Sequence, residues 1–175
     1  MAAVLLGALT THLTNYTLQR SRHKHDYSVR WDARKLDAYE GYVDAVRSCV
    51  FLAVHLYELR EGIRESEQGE REVHAEMSAA GHHRGRAFER IMLLAGDDVI
   101  EAAHEVNAVA LTIDWQATGR LTGSLEDWRA RNRAVFGAIN AFHDAARQDL
   151  GVSGSVRGAH HPERDLLLPP SQRSA

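Results

Sequence analysis

Hydrophobic residues recur every three or four positions along most of this chain, the spacing that places side chains on one face of an α-helix. Runs of β-branched residues and alternating patterns, which are typical of strands, are scarce. Four helical segments follow from the pattern: the first runs through about Glu61, the second from Ser66 to Ala95, the third opens at Asp97 and the fourth at Ser124. The pattern therefore predicts an all-α protein.

Each predicted helix carries one apolar face, obtained by stepping 100° per residue. These faces predict the core, and their aromatic residues are interpreted as packing groups rather than a cofactor site. They comprise Tyr39, Tyr42, Val43, Val46, Cys49, Val50, Ala53 and Tyr57 on the first helix, Val73, Met77, Ala80, Ala87, Phe88, Ile91 and Ala95 on the second, Val99, Ala102, Ala103, Val106, Val109, Ala110 and Ile113 on the third, and Trp128, Val135, Ile139, Phe142, Ala146 and Leu150 on the fourth.

Short predicted loops make sequential helices antiparallel neighbours, so the expected fold is an up-down four-helix bundle. Glycines between the segments are expected to end helices in the left-handed conformation, and Ser124 with Asp127 resembles a capping box. A three-helix core with a detached hairpin is the alternative if the stretch from Gly81 to Gly85 breaks the second helix. The glycines expected at helix ends are Gly62, Gly96, Gly119, Gly123 and Gly151.

The first helix is too long for the other three. If it is helical from near Met1 it spans about 90 Å, whereas the others span roughly 30 to 45 Å. The chain therefore divides into an N-terminal helical overhang over 1–30, a bundle over 31–150 and a disordered tail over 151–175, where all three prolines lie. Within the tail, the apolar run Asp165–Pro170 is interpreted either as plain disordered chain or as a short partner motif.

The overhang has the order of a membrane anchor. Residues 1–19 carry no charged side chain, and Arg20, Arg22 and Lys24 follow directly. Basic residues after an apolar segment stay on the cytoplasmic side, so the expected orientation is N-out, C-in, with these three residues touching lipid headgroups. Only Ala2–Leu9 is strongly apolar, which leaves three interpretations open: a membrane-inserted or interfacial helix, a solvated helix extension, and self-association through the overhang.

Charge supports this division and excludes one class of function. The net charge is −3, which argues against nucleic-acid binding driven by overall charge. The first 35 residues carry six Lys/Arg against two Asp/Glu, and the remaining residues carry fifteen against twenty-two. The single cysteine, Cys49, cannot form an intrachain disulfide or a Cys/His zinc pattern.

No catalytic signature is present. The chain lacks the GxGxxG, Walker A, HExxH and GxSxG motifs, so no catalytic residue, cofactor or metal ligand is predicted. Glu101 and His104 have the ExxH spacing of di-metal bundles, but there is no second ExxH and both fall opposite the core face. Arg84 falls near the centre of the apolar face of the second helix, which predicts a structural buried charge with a carboxylate or carbonyl partner.

Several stretches together resemble a group of small bacterial proteins of actinobacterial type without an assigned activity. In that group a membrane helix runs through a basic stretch into a helix with an RW…R…AY pattern. The resemblance implies an anchored cytoplasmic helical bundle. It is carried by Leu5–Leu9, Leu18–Arg20, Arg30–Tyr39, Leu93–Ala95, Val99–Ala103, Phe142 and Ala145–Gly151.

The sequence thus predicts a non-enzymatic helical-bundle protein, associated with the cytoplasmic face of a membrane by an anchor or peripherally, that acts through protein partners. The alternative is a cytoplasmic homo-oligomeric adaptor or regulator whose overhang pairs with a second copy. A metal-binding bundle or bundle enzyme comes third, because no inward-facing ligand set is found.

Overall fold

A computed structural model describes the backbone of residues 2–153 and the side chains of residues 31–153. Over that part of the chain it contains four α-helices and no strand: α1 Ala2–Arg60, α2 Glu70–Leu94, α3 Asp97–Ala117 and α4 Leu125–Asp149. The predicted all-α four-helix fold and its over-long first helix are confirmed. The predicted disordered tail lies outside the described residues from 154 onward.

The second helix is continuous, so the three-helix alternative is wrong. Gly81 and Gly85 lie inside α2, where two glycines cost about 2 kcal/mol of helix propensity relative to alanine. The burial of Val73, Met77 and Ile91 offsets that cost, since each of these side chains is removed almost completely from water.

Three of the five glycines expected at helix ends adopt the left-handed conformation, and the other two do not. Gly62, Gly119 and Gly151 have positive φ and end α1, α3 and α4, as expected. Gly96 does not: its φ is −77° and it forms the N-cap of α3, because only Ala95 and Gly96 separate α2 from α3. Gly123 also lacks a positive φ. The predicted capping box of α4 is confirmed: Asp127 N–H donates to Ser124 Oγ at 3.2 Å, and Ser124 N–H donates to the Asp127 carboxylate at 2.8 Å.

The predicted apolar faces meet in one core. Every predicted core residue of α1 is buried, and the remaining predicted residues are buried or half-buried. The rings of Tyr57 and Trp128 stack with centroids 4.0 Å apart, and those of Tyr42 and Phe142 lie 5.1 Å apart. The prediction missed buried residues on the edges of these faces, among them Ala38, Ala45, Leu56 and Ala138.

The bundle is flattened along one diagonal. The parallel helices α1 and α3 approach each other more closely than α1 and α4 do. On α3, Ala103, Ala110 and Ala117 are fully buried at intervals of seven residues, and their short side chains allow this approach. Tyr42 donates a hydrogen bond across it to the Ala103 carbonyl at 2.9 Å. The wider separation of α1 from α4 is bridged by aromatic rings and leaves a groove open to solvent.

Helix α1 continues well beyond the bundle. The other helices reach their last common level near Lys35, which pairs with Asp149 at the end of α4. From there α1 continues to Ala2, a projection of about 50 Å at 1.5 Å per residue. The projecting part and the core part of α1 thus belong to one uninterrupted helix.

Candidate functional site

The end of the bundle from which α1 projects is organised around Asp149, in the last turn of α4. Its carboxylate accepts a hydrogen bond from Lys35 Nζ at 2.8 Å and another from the Tyr39 hydroxyl. It also accepts a hydrogen bond from the Gly96 N–H at the start of α3. One carboxylate therefore ties α1, α3 and α4 together at the level where the projection begins.

The electrostatics of this cluster explain why Asp149 is tolerated there. Burial alone would raise the pKa of Asp149, but the hydrogen bonds from Lys35, Tyr39 and Gly96 and the charge of Lys35 hold it below its usual value. Burial and the neighbouring carboxylate raise the pKa of Tyr39, which keeps its hydroxyl a hydrogen-bond donor. The dipole of α4 destabilises the negative charge of Asp149 at its C-terminus, whereas the dipole of α3 stabilises the same charge at its N-terminus.

Exposed apolar side chains surround the point where α1 leaves the bundle. Of the ten large apolar side chains exposed among the described residues, five lie at this end, which we call the apolar collar. Leu93 is the most exposed of them at 79%. Asp37 and Arg90 pair at 3.2 Å and bring the end of α2 level with the start of the bundle part of α1. The apolar collar consists of Trp31, Leu36, Met92, Leu93 and Val152.

A groove runs between α1 and α4 below the apolar collar and encloses about 610 Å³. Its walls are apolar over Tyr39, Val43 and Ala146, and charged residues stand at its rim. The lining residues are Leu36, Tyr39, Glu40, Val43, Asp44 and Arg47 from α1, and His143, Ala146, Arg147 and Leu150 from α4.

His143 contributes a neutral imidazole to this groove. Burial lowers its pKa below the usual value of 6.5, and the positive charge of Arg47 lowers it further, while Asp144 opposes the shift. At neutral pH the ring therefore offers one donor and one acceptor and no charge. The groove can bind a mainly apolar group that carries a few hydrogen-bonding or acidic atoms.

Arg84, expected as a structural buried charge, lies in the middle of α2 and pairs with Asp114 on α3. The distance from Nη2 to the Asp114 Oδ2 is 3.1 Å, and the two side chains are 8% and 18% exposed. Burial raises the pKa of Asp114, although the charge and the hydrogen bond of Arg84 lower it in part. Burial likewise raises the pKa of Cys49, so this thiol is a small buried apolar group and not an activated nucleophile.

The residues expected to touch lipid headgroups lie in the projecting part of α1. Arg20, Arg22 and Lys24 belong to the helix Ala2–Arg60, but their side chains lie outside the part of the chain for which side chains are described. Across the described residues, no helical stretch combines the length and the apolar character needed to cross a bilayer.

The ExxH pair does not join other ligands. Glu101 and His104 are both exposed, and the His104 ring packs edge-on against Phe88 with centroids 4.9 Å apart. Among residues with described positions, no three His, Cys, Asp or Glu side chains group closely enough to hold a metal ion. His82 and His83 are exposed on the uninterrupted helix α2.

Sequence reasoning placed Tyr39 in the core but gave Lys35 and Asp149 no role. A signal for them exists: Asp149 is acidic in the last turn of a helix, where the helix dipole disfavours negative charge, so a partner outside α4 is expected. The same reasoning applies to Asp114 near the end of α3. The groove itself has no such signal, because it depends on the distance between two helices.

Comparisons of the chain with protein-family models, with curated proteins and with solved structures found no match.

Proposed function

We propose that this protein is a non-enzymatic helical module that is held at the cytoplasmic face of a membrane by the projecting part of α1 and acts there through a protein partner. The projecting helix binds peripherally, with its basic residues among lipid headgroups. The four-helix bundle stands off the surface as a rigid body and presents its faces to the partner.

One observation carries the proposal: α1 is a single helix that extends about 50 Å past the bundle. Among the described residues, no other helix runs alongside the projection. A helix without a packing partner is marginal in water, so an uninterrupted projection of this length calls for an external surface. The first 19 residues of the chain carry no charge, and the basic residues follow. Trp31, 47% exposed, lies about 10 Å along the helix from Lys24, within the zone where interfacial tryptophans are found.

Pairing of the projection with a second copy is the other candidate, and the sequence supplies a specific reason for it. Leu6, Leu9, Leu13 and Tyr16 recur at intervals of three and four residues, the spacing of a helix-pairing seam. In that case the apolar collars of the two copies would also come together. The protein would then be a homo-oligomeric adaptor that needs no lipid.

Flotation with lipid vesicles separates the two candidates. Three basic residues near an anionic surface contribute about 3 kcal/mol, roughly a hundredfold in partitioning. The full chain should float with phosphatidylcholine vesicles that contain phosphatidylglycerol and should float far less with phosphatidylcholine alone. The variant Arg20→Gln/Arg22→Gln/Lys24→Gln should lose about two orders of magnitude in binding, since those contacts are removed.

A matched control tests whether the effect is local. Arg71, Arg86 and Arg120 are exposed on the bundle, and changing all three to glutamine removes the same net charge. This control should bind vesicles as the unchanged chain does. Equal losses in both variants, or no binding to anionic vesicles, would contradict the membrane proposal. A lipid-independent dimer in light scattering that is insensitive to the charge variant would support the homo-oligomer instead.

A further inference from the structure

The groove between α1 and α4 has an apolar floor, and the chain leaves α4 at one end of this groove. Tyr39, Val43 and Ala146 form its floor, and Leu36 and Leu150 stand at the end nearest the apolar collar. Leu150 is the C-cap of α4, so the chain leaves α4 at the mouth of the groove. A volume of about 610 Å³ is within the range of sites that bury a small ligand or a few side chains.

The chain turns sharply as it leaves α4, and a groove residue holds the turn. Gly151 has a φ of 71° and donates to the Gln148 carbonyl at 2.9 Å, while the Val152 N–H donates to the Arg147 carbonyl at 2.7 Å. These two bonds form a Schellman motif, which reverses the chain direction. The Arg147 guanidinium then donates from Nη2 to the Ser153 carbonyl at 3.0 Å. Arg147, which lines the groove, thus holds the first residues after the helix.

We propose that this groove binds the chain's own segment Asp165–Pro170, with Leu166, Leu167 and Leu168 against the apolar floor. This inference does not depend on the proposed membrane attachment. It gives the leucine run of the tail a defined site and makes the groove a receptor for a short apolar segment followed by prolines.

The length of the intervening chain suits this site. Thirteen residues lead from Ser153 to Leu166, and a chain of that length can span at most about 45 Å. The groove extends from Leu36 to Arg47 along α1, about 16 Å at 1.5 Å per residue. Leu166 is therefore within reach of the whole groove, and a short covalent connection gives effective concentrations in the millimolar range.

The rim of the groove carries both signs of charge, with Glu40 and Asp44 as well as Arg47 and Arg147, and Arg147 at the Leu150 end orients the segment. Arg147 Nε is buried and has no hydrogen-bond acceptor among the described residues. A buried guanidinium N–H without an acceptor is costly, and a carboxylate is its best partner. Asp165 directly precedes the three leucines. With the leucines on the floor, the Asp165 carboxylate lies beside the Arg147 guanidinium, one turn before Leu150 at the end where the chain leaves α4.

Disulfide trapping in the full chain tests the proposal. The single native cysteine is first removed as Cys49→Ala, and Leu167→Cys is then combined with Glu40→Cys, an exposed position in the groove wall. The control combines Leu167→Cys with Arg86→Cys, which is exposed on α2 and outside the groove. The groove pair should cross-link at least tenfold faster than the control pair, at a rate that does not depend on protein concentration. Circular dichroism of both variants checks that each of them is folded.

A second variant separates occupancy of the groove from chance proximity. Leu36 is an exposed wall residue, so Leu36→Asp leaves the core intact while placing a charge beside the leucine site. It should slow trapping of the groove pair at least fivefold, whereas Leu93→Asp, also exposed but outside the groove, should not. Equal trapping rates for the groove and control pairs would overturn the proposal. A rate that rises in proportion to protein concentration would also overturn it, because the occupant would then be the tail of a second copy.

Discussion

Replacing Arg84 with methionine should destabilise the bundle by about 2 to 3 kcal/mol at pH 7. Breaking a buried ion pair by removing one partner costs about 3 to 5 kcal/mol, because the other charge is left without compensation. Asp114 keeps 18% of its side chain exposed, so water solvates part of the stranded carboxylate and the expected loss lies at or just below the lower end of that range. For a chain of this size the loss corresponds to about 4 to 12 °C in melting temperature.

The loss of stability caused by Arg84→Met should be larger at pH 7 than at lower pH. Burial already raises the pKa of Asp114, and Arg84→Met removes the charge and the hydrogen bond that lower it in part. The folded variant therefore binds a proton at higher pH than the unfolded chain, whose carboxyl has a pKa near 3.8. Stability linked to such a group is present at low pH and is lost as pH rises through the folded-state pKa. The deficit of the variant should narrow as pH falls from 7 toward 4.

Urea unfolding followed by circular dichroism at several pH values measures this effect. The double variant Arg84→Met/Asp114→Leu, which removes both charges, should lie within about 1 kcal/mol of the unchanged chain. Arg86→Met, two positions along α2 and exposed, is the matched control and should stay within about 0.5 kcal/mol. An unchanged stability of Arg84→Met, or a deficit of equal size at pH 7 and pH 5, would refute the interpretation of Arg84 and Asp114 as a buried pair.

Other predictions concern the Asp149 cluster and the glycines. Asp149→Asn should lower the free energy of unfolding by about 1 to 2 kcal/mol at pH 7, and Tyr39→Phe by about 1 kcal/mol, because both remove hydrogen bonds to a charged group. The Asp149 contribution is present above the unfolded-state pKa of 3.8 and should disappear in a urea series as pH falls through the lower folded-state pKa. Gly85→Ala, inside α2 with open space around it, should raise the stability measured by calorimetry by about 0.5 to 1 kcal/mol. Gly151→Ala should lower it by about 1 kcal/mol, since φ is positive there; equal signs for the two glycine variants would contradict the helix assignments.

Periodicity predicted the helices well because burial within one helix depends only on spacing along that helix. Val46, Val106 and Ile139 are nearly fully buried, as their positions on the apolar faces require. The positions of glycines relative to the helices were predicted less accurately. Gly81 and Gly85 are tolerated inside α2 because packing of the buried face outweighs propensity. Gly96 caps the start of α3 because the connection from α2 is too short to hold a separate helix stop.

Contacts between helices could not be predicted, because they depend on how the helices are rotated and spaced relative to each other. Arg84 and Asp114 are 30 residues apart, and Lys35 and Asp149 are 114 residues apart. The single-helix pattern indicates that Arg84 needs a partner but not which one. Gln116 illustrates the same limit: it is buried, and its amide group donates to the Gly123 and Ser124 carbonyls outside α3, each at 3.3 Å. Only the folded loop between α3 and α4 shows that this donor is satisfied.

The sequence contains a partial signal for the distance between α1 and one of its neighbours. Ala103, Ala110 and Ala117 at intervals of seven residues indicate a close approach to some helix, which the structure identifies as α1.

The measurement that bears most directly on membrane attachment is fractionation of the tagged full-length protein from bacterial cells, followed by washes with high salt and with alkaline carbonate. Peripheral attachment through the basic residues of α1 predicts that the protein sediments with membranes, and that salt or carbonate releases it because the contact is electrostatic and interfacial. The variant Arg20→Gln/Arg22→Gln/Lys24→Gln should shift to the unsedimented fraction. Complete recovery of the unchanged protein in that fraction would contradict membrane attachment.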